Sequence, residues 1–374
     1  MNYEMILEKI GYNYNDITIV PSVISNIKTR SEINPFTKDD MLPIFASPMD
    51  SIVSVENCDR YIENNITPVI PRTQNIELKT RVEMMFKGYW VAMSLDEFRK
   101  TLVDVDDEKG EQLKHTKLHV CIDIANGHMK QLYDACKEAK HKSFKYHYTV
   151  EIMTGNIANP ETYEYITLQL TNACECVIDY IRCGIGSGAG CITSSNTGVH
   201  YPIATLINEI YKIKKQHPEN APKIIADGGI RNYSDVIKAL ALGADYVMIG
   251  SLFASCVEAC GTKFAICDDG SYMEIEDYET LEQMMNNKTY DVVTEFYGMA
   301  SAKGQEAMNG EKTKTSEGIV KYIPVTTSLK KWSTNMRDYM RTAMSYCNSF
   351  SLRQFIGRVD CIINSVSEIQ SVNK

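Results

Sequence analysis

Nothing in this 374-residue chain reaches the roughly 18–20 consecutive apolar residues of a membrane span. It carries no basic run and no basic excess: 39 Lys and Arg stand against 48 Asp and Glu, a formal net charge of −9. That balance excludes a general affinity for nucleic acid or for an anionic membrane surface. Gly/Ser/Pro-rich linkers are also missing, as is any internal repeat beyond a short strand-helix unit, so a single domain is expected over 1–374. The first residues, Met1-Asn2-Tyr3-Glu4-Met5, carry acid rather than base and lack the apolar core of a signal peptide, which points to a cytoplasmic protein. The twelve cysteines show no zinc-finger spacing and suit reduced thiols rather than a small-protein disulfide framework. Cys174-Glu175-Cys176 and the pair Cys256 and Cys260 could ligate a metal in principle; small apolar packing is the reading adopted for both.

What the chain does have is a loop of unusual composition. Gly184-Ile185-Gly186-Ser187-Gly188-Ala189-Gly190-Cys191-Ile192-Thr193 follows an apolar run at 176–181. Alternating glycines let the backbone turn its amides and carbonyls inward, which suits an anion or a bare cation. Here the loop delivers one thiol at its far end, with a hydroxyl two residues later. A buried inert cysteine is the plain alternative.

Short apolar runs recur along the chain at 43–50, 66–70, 89–93, 118–123, 148–153, 176–181, 223–227 and 246–250, separated by stretches long enough for helices. Near-continuous apolar strands alternating with amphipathic helices predict a parallel sheet covered by helices. Eight such units predict a closed (β/α)8 TIM barrel, an α/β fold. Asp50, Asp123, Asn156, the Cys191 loop, Asp227-Gly228-Gly229 and Gly250-Ser251 each follow a strand, so all converge on the C-terminal rim. Loops after the last two strands commonly bind phosphate, helped by helix N-termini. Residues 262–325 read as a mobile excursion over the rim, 328–346 as a helix and the last residues as a surface tail.

Several segments then match a known pattern. They are Ser47-Pro48-Met49-Asp50, Asp123-Ile124-Ala125-Asn126-Gly127-His128, Gly155-Asn156, the Cys191 loop, Thr197-Gly198-Val199-His200-Tyr201-Pro202, Ala226-Asp227-Gly228-Gly229-Ile230 and 239–251. In this order they resemble the IMP dehydrogenase/GMP reductase family, from about Asp16 to Phe355. The resemblance implies a barrel, a purine nucleoside monophosphate, a nicotinamide cofactor and a covalent thioimidate between the cysteine and purine C2. Within the family, Ile27-Lys28-Thr29-Arg30-Ser31-Glu32, 123–127, Phe296-Tyr297-Gly298-Met299-Ala300-Ser301 and Ser316-Glu317-Gly318 are similar to the GMP reductase branch. No regulatory domain interrupts the early barrel. The flap, about 296–320, has neither arginine nor tyrosine between 302 and 315, where a dehydrogenase needs an arginine to activate water. Ser47-Pro48 is closer to the dehydrogenase branch, Ala189 stands where the family usually offers a serine hydroxyl, and Ser194 replaces a common arginine.

The resemblance implies reductive deamination of GMP to IMP and ammonia, with NADPH as donor and NADH left open. Cys191 is the implied nucleophile, and Thr193 with Glu317 the implied proton relay. Asp227, Gly228, Gly229, Gly250, Ser251, Gly298, Met299 and Ser316 are assigned to the substrate, and Ser47, Asp123, Asn126 and Gly184 to the cofactor. The carbonyls of Gly186, Gly188 and Cys191 are assigned to a monovalent cation such as K+, and Lys312 and Lys314 are candidates for a phosphate or purine contact. Asp50 is read as fixing the first loop. A homotetramer is expected. Two alternatives stay open: an IMP dehydrogenase with an unusual flap, and a homologue that binds purine nucleotides without turnover.

Overall fold

The computed structural model describes residues 10–172, 175–287 and 290–364. Eight parallel strands close into one barrel. In chain order they are β1 (Ile44–Ala46), β2 (Thr67–Ile70), β3 (Trp90–Met93), β4 (Lys117–Asp123), β5 (Thr149–Ile157), β6 (Tyr180–Cys183), β7 (Lys223–Asp227) and β8 (Tyr246–Ile249). Each pairs with its neighbours in sequence, and β8 closes on β1 through Val247, Met248 and Ile249 against Ile44, Phe45 and Ala46. The predicted (β/α)8 barrel is therefore the fold.

Side chains alternate across each strand, so residues two apart share a face. Phe45, Val69, Trp90, Cys121, Met153, Tyr180, Ile225 and Met248 pack together inside the barrel. Ile44, Val91, Val120, Ile181, Ile224 and Val247, one position over, pack outward against the helices. The same parity sets the inward columns. On β4 the column is Lys117, His119, Cys121 and Asp123; on β6 it is Tyr180 and Arg182; on β7 it is Lys223, Ile225 and Asp227. Each of these three columns ends on a polar group at the C-terminal rim.

β6 starts later than the apolar run suggested. Cys176 instead pairs with Thr171 in a two-residue hairpin. Asp179 stops the barrel strand from extending back: its carboxylate accepts the Ile152 amide at 2.7 Å and the Lys140 ammonium at 2.8 Å. Cys174 lies outside the described residues. Cys256 is buried, and the Cys260 thiol donates to the Asp50 carbonyl, 3.0 Å away. Among the described residues no group of three or more His, Cys, Asp or Glu side chains is placed to hold a metal.

The segment expected as an excursion does cover the rim, and it is built as a four-stranded antiparallel sheet. Its strands are β9 (Lys263–Ile266), β10 (Tyr272–Ile275), β11 (Asp291–Tyr297) and β12 (Val320–Pro324), in the order β10-β9-β11-β12. Val292, Leu281, Val257 and Val325 give it a small apolar core of its own. Between β11 and β12 the helix Ala302–Asn309 starts at Ser301, whose hydroxyl accepts the Gly304 amide at 3.1 Å. The helix Leu329–Tyr346 buries Leu329, Trp332, Met336, Met340 and Met344 at helical spacing, each contributing about 1.5–3 kcal/mol. Cys361–Ile363 pairs antiparallel with Ile17–Ile19, so the chain end is stitched to its beginning, and 365–374 lie outside the described residues.

Candidate active site

The loop after β6 carries Cys191 to the centre of the rim, where the flap clamps it. Cys191 and Gly318 face each other as an antiparallel bridge. The Ile192 amide donates to the Glu317 carbonyl at 2.9 Å, and the Ile319 amide to the Gly190 carbonyl at 3.1 Å. Close approach requires glycine on both sides: a Cβ on Gly190 would lie 2.9 Å from the Gly298 nitrogen, and one on Gly298 would lie 2.7 Å from the Gly190 oxygen.

This clamp brings the three predicted catalytic side chains together although 124 positions separate two of them. The Cys191 thiol donates to Thr193 Oγ1 at 3.3 Å, and that hydroxyl donates to Glu317 Oε2 at 2.8 Å. The sulfur thus has a continuous hydrogen-bonded route to a carboxylate. All three residues are half-buried.

Two hollows meet at the sulfur. The larger, about 630 Å³, is walled by Arg72, Asp123, Ile124, Ala125, Gly184 and the flap residues Met308, Asn309, Thr313 and Lys314. The smaller, about 200 Å³, is walled by Ser47, Met49, Gly229, Gly250, Ser251 and Gly298. Asp123, Arg182, Gly188, Cys191, Asp227, Gly228 and Met299 line both. The assigned substrate residues other than Ser316 therefore surround one compartment, and Asp123 with Gly184 the other. Ser47, assigned to the cofactor, faces the smaller hollow instead.

Three assigned residues are absent from both walls. Asn126 accepts the His128 amide on its Oδ1 at 3.0 Å, Ser316 donates to the Gly318 carbonyl at 2.7 Å, and Lys312 points to neither compartment. The anion-binding expectation also changes in detail. The Gly229 amide already donates to the Ser187 carbonyl at 2.8 Å, and the helix after β7 begins only at Tyr233, its first turn capped by Asn232. Gly228 holds the turn open with φ +95, and a Cβ there would sit 2.9 Å from the Ser187 Cβ. Of the oxygens assigned to a cation, Gly186 accepts the Ser194 hydroxyl at 3.1 Å and Gly188 the Cys191 amide at 3.1 Å.

Asp50 fixes the flap. Its carboxylate accepts the Tyr297 hydroxyl at 2.7 Å, and burial raises its pKa above the ordinary carboxylate value. Lys303 of the flap helix pairs with Glu295 on β11.

The residue that the sequence reading missed is Arg182. It donates to Asp123 Oδ1 at 2.8 Å and to Asp227 Oδ2 at 2.9 Å, joining the two compartments through one buried guanidinium. Burial opposes its charge, and Asp227, Cys121 and Asp123 outweigh that, so its pKa rises well above the arginine value. Asn156 completes the network by donating to Asp227 Oδ2 and to the Gly184 carbonyl, both at 2.8 Å. Arg72 donates to the Asp123 carbonyl at 3.1 Å. The available signal was parity: Arg182 lies two residues beyond the inward Tyr180, and a charge inside a buried strand demands a partner.

A sequence model described as the IMP dehydrogenase / GMP reductase domain matches residues 11–371. A GMP reductase of Staphylococcus carnosus is 27% identical over 360 residues, spanning 94% of this chain and 96% of its own. A GMP reductase of Onchocerca volvulus is 25% identical, spanning 92% and 89%, and one of Shewanella pealeana is 23% identical, spanning 96% of each. With the barrel, the cysteine loop and this match over nearly its whole length, the chain belongs to the IMP dehydrogenase / GMP reductase family.

Proposed function

We propose that the protein reduces GMP to IMP and ammonia at the expense of NADPH, through a covalent bond from Cys191 to purine C2. The observation that carries this reading is the hydrogen-bonded line from the Cys191 sulfur through Thr193 to Glu317. The thiol proton passes along it to the carboxylate, leaving a thiolate to attack C2. The same proton then returns through the Thr193 hydroxyl to the departing C2 amine, which leaves as ammonia. What remains is a thioimidate, sulfur bonded to C2. NADPH, when bound, supplies the electron pair and hydrogen that reduce C2, and the sulfur leaves to give IMP.

The two hollows are assigned to the two molecules. The smaller, with Asp227, Gly228, Gly250 and Ser251, takes the nucleotide, whose ribose hydroxyls suit the Asp227 carboxylate. The larger has the volume of an ordinary cofactor pocket, and Asp123, Gly184, Met308 and Asn309 would hold the nicotinamide end. Arg182 holds Asp123 and Asp227 in place between them through its two ion pairs.

Hydrolysis of the thioimidate, the dehydrogenase outcome, needs a base for water. The flap supplies no arginine, and Arg182 and Arg72, the guanidinium groups lining the larger hollow, are both engaged with Asp123. No step here passes through a monovalent ion. A potassium ion at Gly186, Gly188 and Cys191 would share its oxygens with the Ser194 hydroxyl and the Cys191 amide. The described cysteines are free thiols, which accords with a cytoplasmic setting, and no described helix is long and apolar enough to cross a membrane. A homotetramer is part of the same reading.

The test is a pair of assays on the purified protein. GMP with NADPH should oxidise the cofactor and release ammonia, whereas IMP with NAD should yield little NADH. NADH formation as the faster reaction would reverse the assignment.

A further inference from the structure

The flap helix places one side chain where solvent does not reach. Gln305 is 1% exposed, although the turn it faces, at 310–314, is exposed. Its side-chain oxygen accepts the Thr313 amide at 3.1 Å, the Lys314 amide at 2.9 Å and the Thr313 hydroxyl at 3.4 Å. Its side-chain nitrogen donates to the Ala300 carbonyl at 3.2 Å. That same carbonyl accepts the backbone amide of Glu317 at 3.0 Å. Gln305 and Glu317 therefore meet on one oxygen, while Gln305 also ties down the turn that leads into Glu317.

From this arrangement we infer that Gln305 is a positioning residue for the proton relay, acting through Glu317 rather than on substrate. Thr193 needs the Glu317 carboxylate within hydrogen-bond reach, and the carboxylate is only as fixed as its backbone. Two backbone bonds hold Glu317 itself, Glu317 N to Ala300 O and Ile192 N to Glu317 O, and Ile319 N to Gly190 O holds the residues after it. Gln305 restrains the side before it, closing 313–314 onto the helix. The site requires a neutral amide. An oxygen must take two successive amides and a nitrogen must give one hydrogen, and a carboxylate of the same length cannot donate. Without the amide, the Thr313 and Lys314 amides lose their acceptor and the Ala300 carbonyl keeps only the Glu317 amide, so the segment can drift outward into water. Displacements of about 1 Å at a relay can lower a rate by about 100-fold.

The inference rests on the reaction proposed above, so the experiment has one arm that depends on turnover and one that does not. Gln305→Met, of similar length and without polar atoms, should lower kcat by roughly 10- to 100-fold while leaving KM for GMP within about twofold. Gln305→Glu, which keeps the acceptor oxygens and loses the donor, should fall between Gln305→Met and wild type. In a Glu317→Gln background, Gln305→Met should add little further loss, because the two residues act as one unit. Independent losses that multiply would overturn the inference, as would wild-type kcat in Gln305→Met. The second arm is amide hydrogen exchange on the ligand-free protein. Gln305→Met should speed exchange at Thr313, Lys314 and Glu317 and leave the barrel strands unchanged. Unchanged protection at Glu317 refutes the coupling whatever the substrate proves to be, whereas a wild-type protein inert toward GMP that still shows the exchange effect refutes only the assigned reaction.

Discussion

The two ends of the barrel are built from the same strands and solve opposite problems. β4 begins with Lys117 and His119 and ends with Asp123; β7 begins with Lys223 and ends with Asp227. At the floor, polar groups find partners among themselves and beneath aromatic rings. Glu151 lies 3.4 Å from the Lys117 ammonium and 3.2 Å from the His119 ring nitrogen, and Lys223 donates to the Tyr180 hydroxyl at 2.9 Å while lying over the Tyr180 ring. Phe45 and Trp90 complete an edge-to-face cluster with Tyr180. At the rim the anchoring pairs are more deeply buried, yet they surround the open space beside Cys191. The floor's charges serve only to pair with one another. The rim's charges pair too, and they also line the hollows that meet at Cys191.

If that division is right, the largest effect belongs to the rim relay. Glu317→Gln removes the end of the proton route and should reduce kcat by about 10²- to 10⁴-fold with little change in stability. Steady-state kinetics beside a thermal melt would check this, and an unchanged kcat would place the relay elsewhere. Next comes the anchor between the compartments. Arg182→Met leaves Asp123 and Asp227 buried without their shared cation and should destabilise the fold by about 3–5 kcal/mol in chemical denaturation. A loss below about 1 kcal/mol would mean that the guanidinium is not the counter-ion holding the rim together.

The smallest effect is expected at the floor. The His119 ring nitrogen 3.2 Å away, opposed by burial and helped by Lys117, lowers the Glu151 pKa to about 2, against an ordinary 4.5. A carboxylate depressed in the folded state stabilises above its unfolded pKa and loses that contribution as pH falls through the folded one. Stability should therefore decline between about pH 4.5 and pH 2, by about 1–2 kcal/mol after allowing for partial exposure. Glu151→Gln should flatten that decline in acid titration and leave kcat at neutral pH unaltered. A large fall in kcat would break the distinction between the two ends.

How much of this was readable in advance follows the same physics. Apolar runs disclose barrel strands because parallel strands are buried on both faces, and glycines after strands disclose the rim. Cys191, Thr193 and Asp227 were readable for that reason. Arg182 escaped because a single charge within Tyr180-Ile181-Arg182-Cys183 looks like noise until the inward parity of β6 is known. The start of β6 slipped because Val177 and Ile178 are as apolar as the strand itself, and only the bonds to Asp179 separate them. The flap sheet was illegible for a different reason. β9 through β12 owe their order to partners as distant as Glu295 and Tyr322, and exposed apolar side chains such as Tyr272, Met273, Val320 and Tyr322 hide the alternation. Gln305 gave no sign at all, since a glutamine among Ala302-Lys303-Gly304-Gln305-Glu306 reads as solvent-facing helix.

The central claim is that the Cys191 sulfur bonds to the purine during turnover. It is tested most directly by acid-quenching the protein within the first turnovers with GMP and NADPH and weighing its peptides. The account predicts a purine-nucleotide adduct, formed with loss of ammonia, on the peptide containing Cys191, and none in Cys191→Ala. Steady NADPH consumption with that peptide unmodified, or turnover surviving in Cys191→Ala, would contradict it.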